Sequence, residues 1–207
     1  MPWMLPVLDL RRRQVSPEQM RKFERNMREM FAAFGMDVDT PSTQQTPQRF
    51  VRALYESTQG YDGDPKLLTL FDSEFPEDAP SHSSQVIEGP IPFYALCEHH
   101  SLPFHGRAFV GYTPHEQIIG ISKLTRLVRV FARRFTVQER LGQQIVEALD
   151  TVVAPYGAAV YLEAQHLCTA MRGVQESTSV TRTSTWRGEY ESNAELRREF
   201  LGMCGLK

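Results

Sequence analysis

A chain of 207 residues and 23.7 kDa, 41% hydrophobic and 23% charged, has the composition of an ordinary folded domain with extensions. Its net charge of −2 provides no general basic field, which argues against nucleic acid as a partner, and no apolar run approaches the roughly 20 residues of a membrane span. Three cysteines, an odd number, disfavour a secreted disulfide framework and fit a cytoplasmic protein with metal-binding or reactive thiols.

In chain order, Met1 to Val15 reads as an arm: its prolines and Arg11-Arg12-Arg13 suit neither a core element nor an export signal. Ser16-Pro17-Glu18-Gln19 is a helix start, with Ser at the N-cap, Pro at N1 and Gln at N3. Met20, Phe23, Met27, Phe31 and Phe34 follow at helical spacing, a stripe for core or subunit packing, and Gly35 can end the helix. A second helix is expected from Thr46-Pro47, carrying Arg49 and Arg52 and closing at Gly60. Tyr61 to Ser84, rich in Asp, Glu, Ser and Pro, reads as a long connection.

The second half changes character. Gln85 to Leu96, Ala108 to Tyr112 and Gln117 to Ser122 are short apolar runs that read as strands. Helices are expected over Lys123 to Arg134 and Val137 to Val153, from the spacing of Leu124, Leu127, Val128 and Phe131 and of Val137, Leu141, Ile145 and Leu149. Ala158 to Cys168 and Thr178 to Tyr190 read as a strand and its hairpin partner, and Asn193 as the cap of a last helix. The order predicts an α+β fold, an antiparallel sheet with helices on one face. The expected division is 1–84, arm, helices and connection, and 85–207, the domain that holds the chemistry.

The chemistry-bearing residues cluster. Cys97 and His100 lie three apart in Cys97-Glu98-His99-His100, and Cys168 closes His166-Leu167-Cys168. Two thiols and an imidazole are zinc ligands, and three of them leave a position open for water. The plainer alternative makes Cys168 a buried thiol and Cys97 a turn residue. His99 and His166 titrate near neutrality and suit proton transfer, or else a hydrogen bond to a ligand. Glu98 suits a local ion pair or a hydrogen bond to a ligand, and Cys204 a structural or exposed thiol. Ser122, Lys123 and Arg126 stand at a strand-to-helix junction, where free N–H groups and basic side chains suit phosphate. Arg172, Arg49 and Arg52 add charge; each alone reads as a solvated residue, whereas together near one metal they suggest a polyphosphate. Gln138-Glu139 opens a helix, and a buried carboxylate there would match the two donor groups of guanine.

These motifs, in this order, resemble the GTP cyclohydrolase I family: Cys97-Glu98-His99-His100, Gly111-Tyr112, Gly120-Ile121-Ser122-Lys123-Leu124, Val137-Gln138-Glu139-Arg140-Leu141, His166-Leu167-Cys168 and Met171-Arg172-Gly173-Val174-Gln175. Thr46-Pro47-Gln48-Arg49 and Gly60-Tyr61 extend the likeness upstream, and Ser179 to Gly188 extends it downstream. It spans roughly Ser16 to Leu201. The resemblance implies conversion of GTP and water into 7,8-dihydroneopterin triphosphate and formate, the entry step to folates and pterin cofactors. It implies one Zn2+ per subunit on Cys97, His100 and Cys168, activating water for C8 of guanine. His99 and His166 would carry protons, Glu139 would anchor guanine, and Gln138 would lie beside it near the sugar. Ser122, Lys123, Arg126, Arg172, Arg49 and Arg52 would hold triphosphate and ribose. It further implies the tunnelling fold and a homodecamer of two stacked pentamers with active sites between subunits. The sequence departs from the family at Ala95, where Ser is usual, at Ser84, where Glu is common, at Pro90 and Pro92, and at Arg52, where some members carry Lys. Two other readings fit less of this: a zinc-stabilised, non-catalytic oligomeric homologue, and a deazapurine nitrile reductase of the same fold group.

Overall fold

The computed structural model describes residues 12–68, 70–72 and 85–206; the first residues of the expected arm and Ser84 lie outside them. Helix α1 spans Pro17–Ala33 and opens as its sequence dictates. The Ser16 hydroxyl accepts from the Gln19 amide, and the Gln19 side chain accepts from the Ser16 amide. α1 packs on α2 (Thr46–Ser57). Just before α1, Arg13 donates to the Asp62 carboxylate, the Thr58 hydroxyl and the Tyr55 carbonyl, and its guanidinium lies 4.2 Å from the Tyr55 ring centroid.

Gly60 does not end α2, which stops at Ser57. It lies in a 3-10 turn, Gln59–Asp62, pressed against the end of a later helix. A Cβ there would stand 2.0 Å from the Val130 carbonyl oxygen, so no side chain fits. The Gly60 carbonyl accepts two bonds from the guanidinium of Arg134, which is buried; burial lowers that guanidinium to about 10.

The main sheet has five strands in the order β5-β2-β3-β6-β7: β2 Val86–Cys97, β3 Pro103–Thr113, β5 Phe135–Thr136, β6 Gly157–His166 and β7 Thr181–Gly188. Neighbours are antiparallel except the two-residue β5, which runs parallel to the end of β2. A separate pair joins β1 (Phe71–Asp72) to β4 (Gln117–Ile118). The α+β expectation holds. α3 (Ile121–Ala132) packs against β2, and α4 (Gln138–Val153) against β6 and β7. Their apolar stripes meet Phe93, Phe104, Val110, Val160 and Leu162 in the principal core. Alternate strand residues Phe109, Ala159 and Tyr161 point the other way, where α6 (Glu189–Ser192) and α7 (Ala194–Met203) close a smaller core with Tyr190, Leu196 and Phe200. Asn193 caps α7 through bonds from the Glu195 and Leu196 amides. Gly111 makes room for Phe200, whose ring would meet a Cβ at 2.7 Å.

Element ends differ from expectation at two points that matter for chemistry. α3 begins at Ile121, so Ser122 and Lys123 occupy its first turn. β6 ends at His166, and Cys168 sits on a helical turn, α5 (Leu167–Ala170). At neither boundary does a Pro or an N-cap Ser, Thr, Asp or Asn mark the break. β2 remains a strand across Pro90 and Pro92, with its pairing to β3 irregular between Glu88 and Ile91. Ala95 is buried opposite Phe104, its methyl part of the core. Among the described residues no helix is long and apolar enough to cross a membrane.

Candidate metal centre and active site

The centre forms where β2 and β6 end side by side on either flank of β3. Cys97 is the last residue of β2. Its amide donates to the Leu102 carbonyl, and its carbonyl accepts from the His100 and Ser101 amides. This closes a tight turn, with Ser101 at φ 55°, that folds His100 back over Cys97. The Glu98 amide donates to the Thr136 carbonyl, and Arg140 of α4 grips the Glu98 carboxylate with two nitrogens. The turn is thereby tied to the start of α4.

Cys168 reaches the same place from the turn after β6. The ligand atoms of Cys97, His100 and Cys168 all lie within 4.8 Å of one another, and Cys97 Sγ is 3.7 Å from His100 Nδ1. Ligand atoms around a tetrahedral zinc stand roughly 3.5–3.8 Å apart, given bonds of about 2.0–2.3 Å. The donor set and its spacing therefore fit a zinc ion. The thiols are buried and His100 is exposed, so the group is open on one side. Burial pushes the Cys168 thiol up, and the neighbouring Cys97 thiol adds to the rise. A dication acts in the opposite sense on such a pair, drawing off the protons.

The two further histidines flank this group differently. His99 is exposed, with Nε2 3.8 Å from the Glu98 carboxylate. His166 is half-buried, its ring parallel to Phe104 at 4.7 Å, and its Nε2 meets the Gln138 side-chain oxygen at 2.9 Å. Burial lowers the His166 pKa, opposed by the charge of Glu139. Burial thus favours the neutral imidazole, the form that accepts a proton.

Glu139, expected as a buried carboxylate, is instead exposed in the first turn of α4, where the neighbouring Gln138 is the residue turned into the protein. Ser122 and Arg126 line a cleft of about 430 Å3 together with Asp64, Arg129 and Arg133. Arg126 is paired with Asp64 at 3.0 Å. Lys123 lies over the Phe71 ring at 5.2 Å. Arg172 is exposed in the loop after α5, near enough for its charge to act on Cys168. Arg49 and Arg52 are exposed on α2, where Arg49 donates to Gln45 of the preceding turn. No bond among the described residues joins these two to the Cys/His group. Sequence reasoning did not single out Arg129 and Arg133, which continue the Arg126 face at helical spacing, a signal present in the sequence. It also missed Arg140, whose role depends on which turn α4 lies against.

An α+β sheet whose strand ends gather a Cys/His/Cys group next to His99 and His166, with an arginine-lined cleft along α3, defines a protein with a candidate metal site. The family model for GTP cyclohydrolase I matches residues 23–205, and the chain belongs to that enzyme family. It is 41% identical over 181 residues to a GTP cyclohydrolase 1 of Campylobacter concisus, covering 87% of this chain and 93% of the relative. It is 43% identical over 185 residues to that of Deinococcus radiodurans, covering 89% and 84%. For that of Porphyromonas gingivalis the values are 40% over 190 residues, covering 92% and 96%. Among solved structures, an archaeosine synthase QueF-Like in the apo form aligns at a TM-score of 0.39 and 15% identity, over 54% of this chain and 97% of that one.

Proposed function

We propose that this chain converts GTP and water into 7,8-dihydroneopterin triphosphate and formate, the first step toward tetrahydrofolate and other pterins. The observation that carries the reading is the meeting of Cys97, His100 and Cys168 within 4.8 Å, beside His166, in a chain of this family. A zinc ion on these three residues would supply a Lewis acid and bring the pKa of water down to about 7. Three ligands, rather than four, favour a catalytic over a structural centre.

The chain's own residues then divide the work. Glu139 accepts from the guanine N1–H and 2-amino groups and sets the base in place. Ser122, Lys123 and Arg126 at the start of α3, with Arg172, neutralise triphosphate and hold ribose. Arg49 and Arg52 add charge from the α2 of a neighbouring subunit. His166 and His99 exchange protons as water adds to C8, the imidazole ring opens and formate leaves. In this reading the active form is a decamer of two stacked pentamers, with residues 1–84 serving assembly and 85–207 catalysis. An apolar stripe on α1 that the described residues cover only in part, and an eight-residue strand β7 at the sheet edge, support such assembly.

Purified protein should carry about one zinc per chain, the stoichiometry of one such site, and release formate from GTP together with a pterin that fluoresces after oxidation. Folded, zinc-loaded protein that released neither would sink the reading. Cys168→Ser should lose both metal and turnover, whereas His166→Ala should keep zinc and lose turnover. Loss of zinc in His166→Ala would move that histidine into the ligand set.

A further inference from the structure

Gln138 is the first residue of α4 and only 1% exposed. A primary amide so placed must have its two N–H hydrogens and its oxygen matched within the protein. Its Nε2 lies 3.2 Å from the Leu162 carbonyl oxygen, 3.0 Å from that of Thr181 and 3.2 Å from Thr183 Oγ1. Carbonyl oxygens only accept, so the NH2 end must face them; the flipped amide would set oxygen against two oxygens. The remaining end, Oε1, then faces His166 Nε2. An amide oxygen also only accepts, so this bond forms only when Nε2 carries a hydrogen. Neutral His166 consequently keeps its hydrogen on Nε2 and its lone pair on Nδ1. Phe104, the cross-strand partner of His166, fixes the ring plane from below, with 1° between the rings.

We propose that Gln138 is a positioning residue that holds His166 as its Nε2–H tautomer, so that Nδ1 is the atom that takes up and returns the proton. This rests on the reading of His166 as a proton carrier and names the atom involved. It also gives Gln138 a role other than contact with the sugar, because each polar atom of its side chain is already bonded inside the chain. The anchor for Gln138 is the β6–β7 pair, since Leu162 and Thr183 are register partners there. The strand register thus sets which nitrogen of the His166 imidazole is basic.

The test uses the full-length, zinc-loaded protein and GTP. Gln138→Met keeps the length of the side chain and removes the acceptor. It should lower kcat by about ten- to a hundredfold, the range for partners that orient groups at a metal site, with KM for GTP within about twofold of the parent and zinc unchanged. A raised KM at unchanged kcat would make Gln138 a substrate contact and overturn the proposal. So would a lowered melting temperature with full turnover. Adding Gln138→Met to His166→Ala should cost nothing further; a multiplied loss would show Gln138 acting apart from His166. The parent protein provides a readout that needs no folded Gln138 variant. Labelled with 15N-histidine and assigned against His166→Ala, His166 should show a protonated, pyrrole-type Nε2 and a pyridine-type Nδ1. The opposite tautomer overturns the proposal. If His166→Ala turns over GTP like the parent, the proton-carrier reading has failed. If His166→Ala is inactive while Gln138→Met keeps its kcat, only the present inference has failed.

Discussion

Helices α1 and α4 are nearly equal in length and both amphipathic, yet they end in opposite surroundings. α4 buries Leu141, Ile145, Val146, Leu149 and Val153 against the sheet, and its first turn carries Gln138 and Glu139 into the candidate site. α1 repeats Met20, Phe23, Met27 and Phe31 at the same spacing and buries none of them; Phe34, just past its end, is 81% exposed. The difference shows what helical periodicity conveys. It says that a face needs a partner, and topology decides whether that partner belongs to the same chain. α4 follows β5 directly and precedes β6, so the sheet lies against it. α1 precedes every strand and packs on α2, with the Phe31 ring edge-on to Phe50, so its stripe is only half covered among the described residues.

The largest effect expected from this contrast is in the core. Ile145→Ala should destabilise the chain by about 2–5 kcal/mol, the usual cost of emptying a buried aliphatic site, measured by urea unfolding. Phe34→Ser should leave the sheet folded, by far-ultraviolet circular dichroism, and lower the assembled mass in light scattering. An Ile145→Ala chain as stable as the parent, or a Phe34→Ser chain that unfolds, would break the comparison. A smaller effect is expected at the α1 cap. Ser16→Ala removes an acceptor for the Gln19 amide and should cost about 1 kcal/mol, seen as faster amide exchange confined to the first turn of α1.

The sequence is most legible where structure is local. Ser16 and Asn193 cap helices because their acceptors serve amides two or three residues on, and the spacing says so. The Cys97, His100 and Cys168 set stands out by side-chain type and by its clustering in two short segments, and the fold brings the three together. What sequence reasoning did not yield depends on register. The acceptors of the Gln138 amide lie 24, 43 and 45 residues away, and they meet it only because β6 and β7 pair as they do. Gly60 looks like a helix end when read locally, whereas its lack of a side chain answers to the backbone of α3. Arg13, within an apparent arm, has three bonding partners, Tyr55, Thr58 and Asp62, that are brought together only by α2 and the 3-10 turn.

That arginine provides the last and smallest test of the comparison, because it fastens the N-terminal region by charge where α4 is fastened by apolar burial. The Arg13 guanidinium and amide hold the Asp62 carboxyl below its ordinary range, burial opposing them in part. A carboxyl with a depressed folded-state pKa contributes its full stabilisation above the unfolded value of about 3.9. As the pH falls below that value the unfolded form takes up the proton first, and the contribution declines until the lower pKa of the folded form is passed. The pair is partly exposed, so its worth is about 1 kcal/mol or less. At pH 7 Asp62→Asn should therefore speed exchange of the Arg13 amide, which donates to Asp62 at 2.7 Å, while amides of α4 keep their protection. Below the ordinary aspartate range the parent and Asp62→Asn should converge at Arg13. A gap that stayed constant with acidity would mean that shape, rather than charge, holds the segment, and the contrast with α4 would then be one of degree.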